Sequence, residues 1–316
     1  MKRIAITGVS GYIGSKLLSR LDKSEFVDTI VGIDVKPPKI DSRKLKFYCQ
    51  DISKPFDAIF IENKVDSAVH FAFILKPTHD KRSARQVDIA GMMNFRDACK
   101  QTGVRHILYL SSHTVYGANP DNPPYFDEDS TLRPLSGFQY SEDKVEAEGI
   151  LTDFARSDKN IRLTIIRSCP VIGPDAKGSI VNSMFTPVMI RIAGYDPSLQ
   201  FIHEDDLVEL MIAFIKGEKA GVFNAAGNGE IRYSETAVLA KKKMLALPGA
   251  LLFSLLRWSW ALRLQSESPT SGLEFIKYPP LVSTGKVKTE LGFQFRHSSK
   301  EAAVSFLSPL NQKKGD

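Results

Sequence analysis

TGVSGYIG, residues 7–14, follows directly on the apolar triplet Ile4, Ala5 and Ile6. The order reads as strand, glycine-rich turn, helix. Gly8 lets the chain turn tightly, Gly11 leaves room where backbone must approach an anion, and Gly14 lets the helix lie close to the strand. The unpaired N–H groups of the helix's first turn carry a partial positive charge, so the turn is a cradle for a dinucleotide pyrophosphate. Its surroundings agree. Ile13, Leu17, Leu18 and Leu21 recur at helical spacing. A second strand, residues 29–33, ends in Asp34, 20 residues beyond Gly14, where a carboxylate accepts hydrogen bonds from the hydroxyls of an adenosine ribose.

Strand and helix patterns continue to alternate. Strands are expected at 46–49, 67–72, 106–111 and 162–167, with a helix over 87–101 closed by Gly103 and another over 137–154. A proline- and acid-rich loop separates them at 119–134. This alternation predicts an α/β fold, a Rossmann-type doubly wound parallel sheet with right-handed crossovers. Beyond Gly173 and Pro174 the pattern turns irregular. The expected division is a nucleotide-binding domain over 1–174 and a smaller substrate lobe over 175–316, with about 201–226 returning to the main domain.

Composition narrows the function classes. Of the 316 residues 43% are hydrophobic and 25% charged, the balance of a soluble globular protein. The net charge of +6 is scattered, and its densest runs, Lys241 to Lys243 and Lys313 with Lys314, are short. They read as solvated faces, and no nucleic-acid partner is expected. Cys49, Cys99 and Cys169 are too few and too far apart for a disulfide framework or a CxxC site, and the six histidines lack metal-ligand spacing. No metal is expected. A strand beginning by residue 3 leaves no room for a signal peptide, so a reducing cytoplasm is the expected compartment. The segment PGALLFSLLRWSWALRL, residues 248–264, is interrupted by Arg257 and Arg263 and is too short between charges to cross a membrane. It reads as a helix packed on the smaller lobe, with a substrate lid or a membrane-surface contact as alternatives.

YSEDK, residues 140–144, places a phenol and an ammonium one helical turn apart on a shared face. A nearby cation favours phenolate, so Tyr140 is a candidate to take a proton from a substrate hydroxyl or return it. Lys144 can also hold a nicotinamide ribose. The spacing alone is not specific, because Tyr12 and Lys16 share it inside the phosphate-turn helix. Position decides for Tyr140, which follows the strand ending in Ser111 and Ser112. A hydroxyl at the C-terminal rim of a parallel sheet lies where ligand sites collect.

Taken in order, TGVSGYIG, Asp34, QDI at 50–52, SSHTVYG at 111–117, YSEDK, IRSCPVIGP at 166–174 and FIHEDD at 201–206 resemble the successive blocks of the extended short-chain dehydrogenase/reductase family. That family includes NAD-dependent nucleotide-sugar epimerases and dehydratases and related hydroxysteroid dehydrogenases. The resemblance implies Ser112, Tyr140 and Lys144 as the catalytic set and NAD as cofactor. It implies a cofactor lining of Gly8, Gly11, Tyr12, Ile13, Gly14, Asp34, Asp51 and Ile52. To these it adds Phe71, Ala72, Phe73 and Ser111, with Pro170 and Val171 at the nicotinamide carboxamide. It also implies a homodimer through the helices near 87–101 and 137–154. Asp34 favours NAD, and Lys36 keeps NADP open.

The departures bear on chemistry. Sugar-nucleotide dehydratases carry an acid pair after the catalytic hydroxyl residue, where this chain has His113 and Thr114, so a dehydratase is not expected. The arginine that epimerases offer to a diphosphate is replaced by Leu199, and a second one has no counterpart around 274–282. His113 reads equally as a substrate contact or a structural histidine. His203, Glu204, Asp205 and Asp206 open a helix rather than ligate a metal, and Asp88 stands where relatives often carry asparagine. The implied activity is hydride transfer between nicotinamide and a secondary alcohol or ketone. Sugar epimerisation is one form, oxidation or reduction of an apolar steroid- or isoprenoid-like substrate another, and non-catalytic NAD sensing a third.

Overall fold

The computed structural model describes residues 1–76, 78–176, 188–264 and 270–312; Lys313 and Lys314 lie outside them. Continuous apolar runs make central parallel strands, because a sheet covered by helices on both sides has no solvent face to alternate toward. β1 (Lys2–Thr7), β2 (Val27–Asp34), β3 (Leu45–Cys49), β4 (Ser67–His70), β5 (His106–Ser112) and β6 (Arg162–Ser168) form most of the main sheet. Four short strands follow: β7 (Val171–Ile172), β8 (Val188–Ile192), β9 (Ser198–Leu199) and β10 (Ile202–His203). β11 (Gly221–Ala225) then returns to the main sheet and pairs with β6. The seven strands run β11-β6-β5-β4-β1-β2-β3, all parallel.

Helices cover both faces. α1 (Tyr12–Asp22) lies on one; α2 (Asp57–Glu62), α3 (Lys81–Arg85), α4 (Gly91–Thr102) and α5 (Gln139–Ser157) belong to the other; α6 (Glu204–Gly217) packs beside α1. Leu17, Leu18, Leu207, Met211 and Phe214 fill the α1 side, and Phe60, Phe95, Tyr109 and Leu151 fill the α4–α5 side. Gly103 takes φ +73 and closes α4 as a left-handed cap. The remaining chain carries β12 (Ile231–Arg232), α7 (Tyr233–Leu239), β13 (Lys243–Leu247), α8 (Gly249–Ala261) and α9 (Gly272–Lys277) in the smaller lobe, then α10 (Gly285–Leu291), which packs on β11 with Val287 in the main core, and α11 (Ser299–Gln312), which returns to the lobe. Met189, Leu199, Phe201, Ile231, Tyr233 and Phe306 share its core.

Two elements differ from the sequence expectation. The strand expected over 67–72 stops at His70, and residues 71–72 pass over Gly8, where a Cβ would lie only 2.7 Å from the Ala72 nitrogen. That crossing is the topological switch point, since the chain leaves β1 toward β2 on one side and returns to pair β4 on the other. The helix expected from 87 begins at Lys81, where Asp80 caps it by accepting the Ser83 N–H at 3.0 Å. Between α3 and α4 a π-helical turn, Gln86–Ala90, interrupts the regular winding. A wider turn of this kind recurs at functional sites.

Candidate active site

The glycine turn offers a direct test of fit for a dinucleotide. Gly11, at the N-cap of α1, brings no side chain to cap it, and the first turn carries no acid. The leading N–H groups are therefore left to an anion. Gly8 sits at φ +74, and a Cβ on Gly14 would stand 2.2 Å from the Gly8 carbonyl oxygen, so helix and turn are as close as backbone allows. Asp34 at the tip of β2 accepts the Ser10 N–H at 3.0 Å, which fixes its carboxylate beside the turn. These residues suit a pyrophosphate with its ribose at Asp34.

Other expected lining residues are placed with varying directness. Asp51 accepts the Ser53 N–H at 2.9 Å, and Ile52 is buried against Gly91, its carbonyl taking the Asn94 amide at 2.8 Å. The Pro170 carbonyl accepts the Ile202 N–H at 3.1 Å, and Val171 pairs with Ile202. Two side chains are engaged elsewhere. The Tyr12 hydroxyl donates to Glu204, leaving its backbone N–H as what it can offer a phosphate. The Ser111 hydroxyl donates to buried Glu148 at 2.5 Å; neighbours on a strand point their side chains opposite ways, so Ser111 is left its backbone to offer a cofactor. The second YxxxK is structural: Lys16 also reaches Glu204, at 2.6 Å, and the pair clamps α1 to α6.

Ser112, Tyr140 and Lys144 meet at the C-terminal end of β5. Ser112 caps the short 3₁₀ turn His113–Tyr116, its Oγ accepting the Thr114 N–H at 3.2 Å and the Thr114 hydroxyl at 3.0 Å. The Lys144 Nζ lies 5.8 Å from the Tyr140 ring centroid and 3.9 Å from that of Phe73, and it donates to the Leu110 carbonyl at 2.8 Å. Phe73 stands edge-on to Tyr140 at 5.7 Å. The phenol departs from the sequence expectation. Burial pushes Tyr140 up to about 12, with Ser112 in hydrogen-bonding reach pulling it down and the Asp88 charge raising it. The same dry surroundings act on Lys144, which burial lowers to about 7 against the pull of Asp88 and Glu148.

Asp88 is the group whose role the sequence did not define. It sits in the π turn, buried, and its Oδ1 accepts the Ile74 N–H at 2.7 Å. Burial raises its carboxyl to about 7, the Ile74 N–H opposing. Asp88 and Tyr140 line one cavity of about 270 Å³ with Ile74, Phe138 and Trp260. Trp260, from α8, stacks on His79 at 4.0 Å; nothing in its local sequence marks it as a site residue. His113 is buried, and desolvation holds it down at about 4, so it is a neutral ring. With Thr114 bound to Ser112, neither residue supplies the acid and base that water elimination needs.

Beneath the site lies a buried ion pair that carries no sequence signature. Arg167 of β6 reaches Glu148 of α5 at 2.8 Å and the Tyr116 hydroxyl at 3.0 Å, and Tyr116 donates to Asn224 of β11 at 2.8 Å. His203 caps α6 by accepting the Asp205 N–H at 3.2 Å, with Glu204, Asp205 and Asp206 in the first turn where acids suit the dipole. Leu199 is buried in the smaller lobe opposite Ile231, and its neighbour Gln200 makes both amide hydrogen bonds to Val282 backbone, at 2.7 and 3.2 Å.

The sequence model of the NAD dependent epimerase/dehydratase family matches residues 4–226. An uncharacterised protein of Mycobacterium tuberculosis is 28% identical over 312 residues, covering 95% of this chain and 82% of that one. The UDP-glucose 4-epimerase of Neisseria meningitidis serogroup B is 28% identical over 228 residues, 65% of this chain and 66% of that protein. Among solved structures, the UDP-glucose 4-epimerase of Thermotoga maritima with UDP-glucose superposes with a TM-score of 0.78 at 18% identity, over 99% of each chain. MoeE5 in complex with UDP-glucuronic acid and NAD does so with a TM-score of 0.76 at 18% identity, over 98% of this chain and 99% of that one.

Proposed function

Because the chain belongs to the NAD-dependent epimerase/dehydratase family, we propose that it is an enzyme moving a hydride between NAD and a secondary alcohol or ketone. The observation that carries this is the meeting of Ser112, Tyr140 and Lys144 at the sheet's C-terminal rim, beside the Gly8–Gly14 cradle. When bound, the dinucleotide supplies a two-electron acceptor and donor. Gly8, Gly11 and Gly14 with the first turn of α1 would hold its pyrophosphate, Asp34 a ribose, and Lys144 the ribose next to the nicotinamide. Ser112 holds the substrate oxygen. Tyr140 takes the hydroxyl proton as the carbon is oxidised and returns it on reduction. Phe73, Phe138 and Trp260 keep water from the reacting carbon.

For the substrate, sugar epimerisation is supported by the named activities of the relatives. A second reading, an apolar alcohol or ketone, is favoured by Leu199 and Gln200, which place a core contact and a satisfied amide where a diphosphate would want a cation. Protein that retains NAD through purification, with no net cofactor turnover on alcohols, would mark an epimerase. Freely exchanging cofactor consumed on turnover would mark a dehydrogenase. Tyr140→Phe should cut turnover by about a hundredfold or more and leave NAD affinity within a few-fold; full activity in that variant would overturn the assignment.

The reading includes a cytoplasmic homodimer, joined through α4 and α5, with residues 1–174 holding cofactor and the remainder shaping the substrate side. The three unpaired cysteines support a reducing compartment, and light scattering on the purified protein tests the dimer. No helix among the described residues is long and apolar enough to cross a membrane.

A further inference from the structure

The exposed side of α8 runs against the rule that helices turn polar residues to water. Leu252, Phe253 and Leu256 face inward onto Ile192, Leu273 and Ile276. The opposite side presents Leu251, Leu255, Trp258 and Leu262, which are 48%, 54%, 65% and 63% exposed. Their spacing of four, three and four residues puts them in one row, about 16 Å long at the helical rise. Along this stretch of the chain the charge has a single sign. Residues 236–266 contain Lys241, Lys242, Lys243, Arg257 and Arg263 and no Asp or Glu. Arg257 and Arg263 are exposed and form no ion pair among the described residues.

A second copy of the chain is a poor occupant for this face. Pairing like with like would bring the arginines together, and one row of four side chains falls short of the roughly 800 Å² per partner that stable interfaces bury. An anionic lipid surface satisfies both features, since it accepts a narrow apolar ridge and attracts the basic rim, with tryptophan at headgroup level. We propose that α8 seats this protein on anionic membranes by its Leu251, Leu255, Trp258 and Leu262 ridge. The same helix turns Trp260 inward to the cavity shared with Tyr140, so the membrane contact lies one helix thickness from the candidate active site.

Flotation of the full chain with vesicles tests this, using phosphatidylcholine alone and phosphatidylcholine mixed with phosphatidylglycerol, at low and high salt. Protein should float with the mixed vesicles and fall away at high salt. Arg257→Glu should weaken partitioning about fivefold, and Leu255→Glu with Trp258→Glu about tenfold or more, with circular dichroism and thermal melting unchanged. Should the double variant unfold, Trp258→Ser alone is the substitute, read by the same flotation. Absence of flotation, flotation the ridge variants leave intact, or a dimer that these variants split without altering vesicle binding would each overturn the proposal. The assay reads binding and not turnover, so its failure leaves the hydride-transfer reading standing.

Discussion

The Lys144 ammonium lies 3.9 Å from the centre of the Phe73 ring. It is held there by the Leu110 carbonyl at 2.8 Å, in surroundings dry enough to bring its pKa down to about 7. Lys144→Met removes the charge while keeping much of the bulk. We expect turnover to fall by about a hundredfold or more and NAD affinity to weaken as well, because one side chain serves both. Paired measurement of kcat and NAD binding checks this; loss of one without the other would separate the two roles.

Asp88 raises the pKa of both Tyr140 and Lys144. Replacing its carboxylate by the Asp88→Asn amide lowers both. For alcohol oxidation, which needs the phenol deprotonated, the acidic limb of the pH–rate profile should move to lower pH. The profile of kcat against pH for the two proteins is the measurement, and an unshifted limb would remove Asp88 from the electrostatics of the site.

Arg167→Met leaves Glu148 buried without its partner. Unfolding free energy should drop by about 3–5 kcal/mol. Adding Glu148→Leu should recover much of that loss, since two apolar groups need no counter-charge. Urea titrations of the single and double variants decide it; a double variant no better than the single would mean the pair is not the source.

Four buried histidines are held below their ordinary value, and the three with the largest shifts make the fold acid-sensitive. Burial lowers His70 to about 3, and His106 and His113 to about 4 each. In the unfolded chain all three take a proton near 6.5, so below that pH the unfolded state binds more protons and gains. Their contribution is complete above about 6.5 and is lost as pH falls, by about 1.4 kcal/mol per unit per histidine until each folded value is reached, while Asp88, raised to about 7 by burial, binds its proton in the folded state over the same range and offsets part of that loss. Denaturant midpoints from pH 7 to 4.5 should show the net fall, and His113→Phe should flatten the slope measurably.

What was legible in the sequence was the chemistry that repeats locally. The glycine spacing of residues 7–14, the acid at 34 and the turn-spaced Tyr140 and Lys144 each follow from short-range geometry. The parallel sheet followed from alternating patterns. Other features depend on partners far along the chain. Arg167 meets Glu148 across two elements, and Trp260 enters the cavity only because α8 lies where the lobe's core puts it. The π turn is invisible to periodicity because it departs from the period over only five residues.

Glu204 gives the molecule a mechanical property. Buried behind Gly173, which has no side chain to displace it, this one carboxylate grips Tyr12 and Lys16 at the foot of the nucleotide cradle. It also begins the helix that carries the chain back from the smaller lobe. The phosphate turn and the start of α6 are therefore tied through one buried side chain, so a displacement of either has to move Glu204 as well.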